Sequence, residues 1–210
     1  MTVDASAPAP GLVRLARWAP AVSGLALALV PLLGVVAATF ARSGVRAAPG
    51  DLCGLVPAGL LGRLVPTPGA PQREPSRVDL ARCMVSTDRP QPSAGYGALV
   101  LEVERHGGAT LQSPADRAQD WYAGLKRTRL EGRGVKPQRV VDVPGLGDDA
   151  YVTTDEPSAD RDGDPRGFAI ATVLAGDTVL TVSYTAEPST DALATAAAVS
   201  VARAVLGGVR

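Results

Sequence analysis

Asparagine is absent from this chain, which removes every acceptor for N-linked glycosylation. Histidine occurs once, at His106, and cysteine twice, at Cys53 and Cys83, with no Cys-x-x-Cys pair. A zinc cluster and a redox dithiol therefore both lack their usual ligand spacing. The formal net charge is zero, which argues against nucleic-acid binding driven by bulk electrostatics. Lys126 and Lys136 are the only lysines and Ile170 the only isoleucine, against abundant Ala, Gly, Pro, Val and Arg. That bias reads as a GC-rich genome and carries little function. Long apolar runs are lacking as well, with one exception near the start.

The exception is Ala19 to Ala41, an uncharged run with nothing comparable after it, flanked by Arg14 and Arg17 on one side and Arg42 and Arg46 on the other. At ~1.5 Å per residue it makes a helix of roughly 34 Å, enough to cross a hydrocarbon core of about 30 Å. Trp18 suits a membrane interface, Pro20 a first helical turn, and Pro31 a mid-span kink. The expected organisation is a short cytoplasmic tail (1–18), a transmembrane helix (19–41), a tether (42–50) and an extracytoplasmic domain (51–210). Paired arginines on each side give no charge asymmetry, so orientation rests on the short tail and the large domain. The expected location is the cell membrane, single-pass, with the C-terminal domain outside. Cleavage near Thr39-Phe40-Ala41 is the alternative and would give a secreted protein, but the run exceeds the usual apolar core of a signal peptide.

An even pair of cysteines beyond an export signal reads as a disulfide, Cys53 to Cys83, against the alternative of two unrelated buried thiols. Helices are expected near Pro57 to Leu64, from Pro114 to Leu130 with Ser113 as N-cap, and from Asp191 to Leu206, ended by Gly207-Gly208. The apolar stripe of the second is Ala115, Ala118, Trp121, Tyr122, Leu125 and Leu130; that of the third is Leu193, Ala197, Val201 and Val205. Strands are expected over Leu80 to Val85, Ala98 to Arg105, Arg139 to Val143 and Tyr151 to Thr154. Phe168 to Leu174 and Thr178 to Tyr184 form a hairpin around Gly176. Thr67 to Ser76, with three prolines, reads as a loop. Helices around hairpin-ready strands predict an α+β domain: a mainly antiparallel sheet covered by helices, preceded by one transmembrane helix.

Asp51-Leu52-Cys53-Gly54-Leu55-Val56-Pro57 is similar to a Cys-x-Leu-Leu-x-Pro helix start, and Val143 to Tyr151 to a Gly-Leu-Gly-Asp-x-Ala-Tyr turn. With Cys83 in the strand between, the chain resembles a family of secreted or membrane-anchored actinobacterial proteins, often lipoproteins, whose domain has no established function. More loosely the arrangement resembles PsbP-like α/β sandwiches. The resemblance implies an envelope location and carries over no catalytic residue. The chain departs from it in lacking a lipid-attachment cysteine.

Gly145, Leu146, Gly147, Asp148 and Asp149 form the candidate interaction loop. They lack the spacing of a phosphate loop and read first as a turn positioning Tyr151. Asp160, Asp162 and Asp164 alternate as in a calcium loop, but Pro165 and Ala171 occupy the places of its turn glycine and bidentate glutamate, so a solvated acidic loop over 155–164 is expected. The basic stretch 117–139 reads as a wet helix face, with anionic headgroups or wall polymers as its other partners. Trp121 and Tyr122 read as core anchors. The functional expectation is a non-enzymatic, membrane-anchored binding module of the cell envelope, with no cofactor, no metal and no nucleic acid, binding an envelope protein or polymer through a loop-rich sheet end. The alternative is an envelope hydrolase whose residues converge from loops, such as His106 with Asp148 or Asp149.

Overall fold

The computed structural model describes residues 46–74, 77–88, 95–109, 111–132, 138–154, 158–159 and 165–209. The expected tail and membrane span therefore lie outside the described residues, as does most of the acidic loop. A 3-10 turn at Cys53–Leu55 leads into α1 (Ala58–Leu64), β1 (Gln72–Arg73), β2 (Leu80–Ser86) and β3 (Tyr96–Arg105). Then come α2 (Pro114–Glu131), β4 (Arg139–Asp142), β5 (Asp149–Thr154), β6 (Ser158–Ala159), β7 (Pro165–Ala175), β8 (Thr178–Glu187) and α3 (Asp191–Val209). The fold is α+β. The strands pair antiparallel in the order β1-β2-β3-β8-β7-β5-β4, and β6 pairs with β7 off that path.

Alternation along the strands decides the two faces. Cys83, Leu101, Val182, Ala171 and Val152 lie side by side across β2, β3, β8, β7 and β5, and all are buried. This face is covered by α3, α1 and the 3-10 turn. Ala194, Ala198 and Ala202 of α3 are fully buried at four-residue spacing, so their small side chains let the helix axis approach the sheet closely. Cys53 and Cys83 form a disulfide with a Cα–Cα distance of 5.5 Å, tying the 3-10 turn to β2. Such bonds persist in oxidising compartments.

The opposite face carries a polar row: Arg82, Glu102, Thr181, Thr172, Tyr151 and Asp142 stand in register across six strands. α2 packs on one part of it, burying Ala118 and Tyr122 against Tyr151, Leu174 and Val179. Its start is fixed by a capping box: Ser113 Oγ accepts from Asp116 N–H at 3.1 Å, and Asp116 accepts from Ser113 N–H at 3.2 Å. The expected stripe of α2 is narrower than its sequence suggested. Trp121 and Leu130 are 46% and 53% exposed and Ala115 is exposed, because the helix meets the sheet along one line of contact.

Three further differences have physical reasons. β1 lies inside the expected loop, its short run held by pairing with Met84 and Cys83. α3 runs through Gly207-Gly208 to Val209, where a Cβ on Gly208 would stand 2.7 Å from Leu55, so that glycine serves close packing and does not stop the helix. Leu193 is 64% exposed and off the buried face. α3 is also long and apolar enough to cross a membrane by length and composition, so the N-terminal run does have a counterpart. Its apolar side is nevertheless occupied by the sheet.

Candidate functional site

The Gly145–Asp149 turn is built into the sheet. Gly145 and Gly147 have φ of 71° and 69°, a region that favours glycine, and a Cβ on Gly147 would lie 2.3 Å from the Leu174 carbonyl oxygen. Leu146 is buried in the main core. Asp148 N–H donates to the Leu174 carbonyl at 2.8 Å, and its carboxylate accepts from Gly176 N–H at 2.6 Å. The turn thus clamps β5 to the β7–β8 hairpin. Asp149 is exposed and stands beside the buried Tyr122 hydroxyl; burial first, then this carboxylate, push the phenol upward.

At the same end of the sheet β3 delivers Arg105 and His106. Arg105 is 6% exposed; it donates to the Val209 carbonyl at the end of α3, and its Nη1 lies 3.8 Å from Asp177. Sequence reading did not separate it from the surface arginines. Its signal was the odd register position it shares with Leu101 and Val103. His106 is half-buried, with its ring 6.2 Å from that of Trp121. Burial lowers its pKa, and the charges acting on it are Glu104, Arg117, Asp79 and Asp177. Asp148 is engaged by Gly176 N–H and Asp149 stands beside Tyr122. In the basic stretch, Lys126 pairs with Asp142 and Arg117 donates to the Gly107 carbonyl at 2.7 Å, while Arg133 and Lys136 lie outside the described residues.

At the opposite end of the sheet lies a groove of about 490 Å³ between α1 and α3. Its volume falls within the range of ligand sites, about 300–1,000 Å³. Leu60, Arg63 and Leu64 form one wall and Leu193, Ala196 and Ser200 the other, over a floor of Tyr184 and Ala186. Pro66, Tyr96, Glu187 and Pro188 close the end. The groove is positioned by backbone contact: Tyr184 donates to the Leu64 carbonyl at 2.8 Å, and a Cβ on Gly97 would stand 2.3 Å from that same oxygen. Glu187 is engaged by Arg166 at 3.2 Å. Arg63 is exposed and, among the described residues, has no ion-pair partner. Sequence reading missed this groove, since it placed Leu193 on the buried stripe. The signal available was that Leu193 precedes, and does not share, the Ala194–Ala198–Ala202 line.

Among the described residues no three His, Cys, Asp or Glu side chains converge to hold a metal ion. Comparison with protein-family models, with curated proteins and with solved structures finds no match to this chain.

Proposed function

We propose that the chain is a single-pass, membrane-anchored protein whose folded domain lies outside the cytoplasm and acts as a non-catalytic binding module of the cell envelope. The observation that carries the binding reading is the groove between α1 and α3, whose walls combine leucine, alanine and proline with serine and tyrosine, and whose Arg63 has no ion-pair partner among the described residues. Such a surface can select a partner by shape, apolar area and charge. The Cys53–Cys83 bond supports the location, because it ties the first turn of the domain to the sheet and persists under oxidising conditions. The apolar run at 19–41 supplies the anchor, and the resemblance of the 143–151 turn to actinobacterial envelope proteins points the same way.

The test is thiol labelling in intact cells with a membrane-impermeant maleimide, with and without prior reduction, followed by membrane fractionation. The expected result is labelling only after reduction, in a full-length, membrane-bound chain. Thiols that label without reduction, and only after permeabilisation, would place the domain in the cytosol and overturn the reading. A shortened, soluble, reduction-dependent product would replace the anchor by secretion.

A further inference from the structure

We propose that the end of the domain carrying Arg46, Val78 and Leu111 rests on the phospholipid headgroups of the bilayer, with the groove between α1 and α3 at the end away from it. The proposal rests on the single-pass reading and names the partner of a surface which that reading leaves unassigned.

The chain joins the domain at one end of the sheet. Ala48 N–H donates to the Val78 carbonyl at 2.8 Å, just before β2. Arg46 lines a cleft with Asp148, Gly176, Asp177 and Val209, which belong to the turn before β5, the β7–β8 hairpin and the end of α3. The end of β3 lies there too, since His106 N–H donates to the Asp177 carbonyl at 2.8 Å. β3 has ten residues. At ~3.4 Å per residue its other end, Tyr96 in the groove lining, is roughly 30 Å away.

Chain length limits which surface can meet the bilayer. From Ala41, the last residue of the apolar run, to Arg46 a fully extended chain spans roughly 18 Å at most. The headgroup layer takes about 5–7 Å of that. A domain resting on its groove end would hold Arg46 roughly 30 Å above the headgroups, beyond this reach.

The side chains decide between the near end and the flanks. Among the exposed large apolar residues, Leu111 at 96% and Val78 at 71% are the most exposed, and both sit at the near end. Leu111 lies in the loop after β3, in a turn closed by reciprocal bonds between Ala109 and Gln112 at 3.0 and 3.2 Å. Arg46, Arg77 and Arg117 are exposed at the same end, and a guanidinium fork matches the phosphate of a phospholipid headgroup. Of the carboxylates there, Asp79 is paired with Arg77, Asp177 with Arg105, and Asp148 accepts from Gly176 N–H. Two apolar side chains at the headgroup–acyl boundary make a weak contact by themselves. A short tether makes it intramolecular, at an effective concentration on the order of millimolar.

The test uses the full chain in vesicles of zwitterionic phospholipid, with the disulfide intact. A fluorescent non-natural amino acid is placed in turn at positions 30, 111 and 193, and the vesicles carry nitroxide quenchers on the headgroup or deep in the acyl chain. Expected are deep quenching at position 30, headgroup quenching at 111, and at least about twofold less headgroup quenching at 193. With the probe at position 112, Val78→Asp combined with Leu111→Asp should lower headgroup quenching about twofold. Both substitutions are at exposed positions, and an unchanged urea midpoint shows that the fold is kept. Quenching at 30 without an excess at 111 over 193 would overturn the proposal and leave the anchor standing. Unchanged quenching in the double aspartate variant would overturn it as well. No deep quenching at position 30 would remove the anchor and the proposal together.

Discussion

Arg105 carries its charge almost out of water, at the point where β3 ends and α3 finishes. Burial is the first cause holding its pKa down, Arg46 adds to that, and Asp177 opposes it. An arginine stays protonated through such a shift, so the cost falls on stability unless the charge is used. Here it meets the carbonyl end of a helix, where a cation is favoured, and Asp177. Arg105→Met should therefore cost about 2 kcal/mol in urea denaturation, because it leaves a helix-end carbonyl without its donor and Asp177 without its ion-pair partner. Arg203→Met on the exposed side of the same helix should stay within about 0.5 kcal/mol. Its neighbour His106 has the opposite character. Burial lowers its pKa from the ordinary 6.5, so the unfolded chain takes up a proton before the folded one does. Stability is then unaffected above pH 6.5 and falls as the pH drops below it, levelling off beneath the folded value. His106→Gln should remove that part of the acid slope, seen as a flatter dependence of the urea midpoint on pH; an unchanged slope would assign it to other groups.

A seven-residue helix such as α1 is far below the length at which helices hold in water by themselves. It has no side-chain cap, and the preceding turn is held by the Cys53–Cys83 bond. The chain between those cysteines spans a separation of 30 residues and contains the whole of α1 and β1. Replacing both cysteines by serine should cost about 3.5 kcal/mol on the chain-entropy estimate, and a reducing agent should produce the same downward shift in urea midpoint. Gly97→Ala should detach the same layer by another route, since the new methyl meets the Leu64 carbonyl oxygen at 2.3 Å; faster proteolysis within α1 would report it. The elements that could be read from sequence were those whose cause is local. Leu99, Leu101 and Val103 alternate, Ser113 and Asp116 form a box three residues apart, and Gly176 sits in a two-residue hairpin turn. What was hidden depends on partners far along the chain. Gly208 reads as a helix stop until Leu55 is beside it, Trp121 reads as core until α2 is seen to meet the sheet along one line of contact, and the groove exists only once α1 is docked beside α3.

The chain contains two segments apolar enough to be weighed as membrane spans, and for α3 its packing on the sheet bears on the question. α3 passes the test of length and hydropathy, yet Val201, Val205 and the Ala194–Ala198–Ala202 line are fully buried on the sheet, while Ala196, Arg203 and Ala204 are exposed. A helix packed on a sheet has one intolerant face, whereas a helix in lipid resists charge near its centre on every face, at about 2.5–3.5 kcal/mol for Asp or Arg on insertion scales. Arg203 already stands on the exposed face, which fits the first case. Val201→Asp should unfold the domain, since an uncompensated carboxylate would enter the core. Ala204→Asp should be tolerated to within about 1 kcal/mol. Limited proteolysis of the full chain in membranes, with the disulfide intact, would measure both: protection lost in the first variant and kept in the second. Equal loss in the two would make α3 a span. The sheet would then lose the layer that buries its main core, and the assignment of the anchor to residues 19–41 would have to be shared with the C-terminal helix.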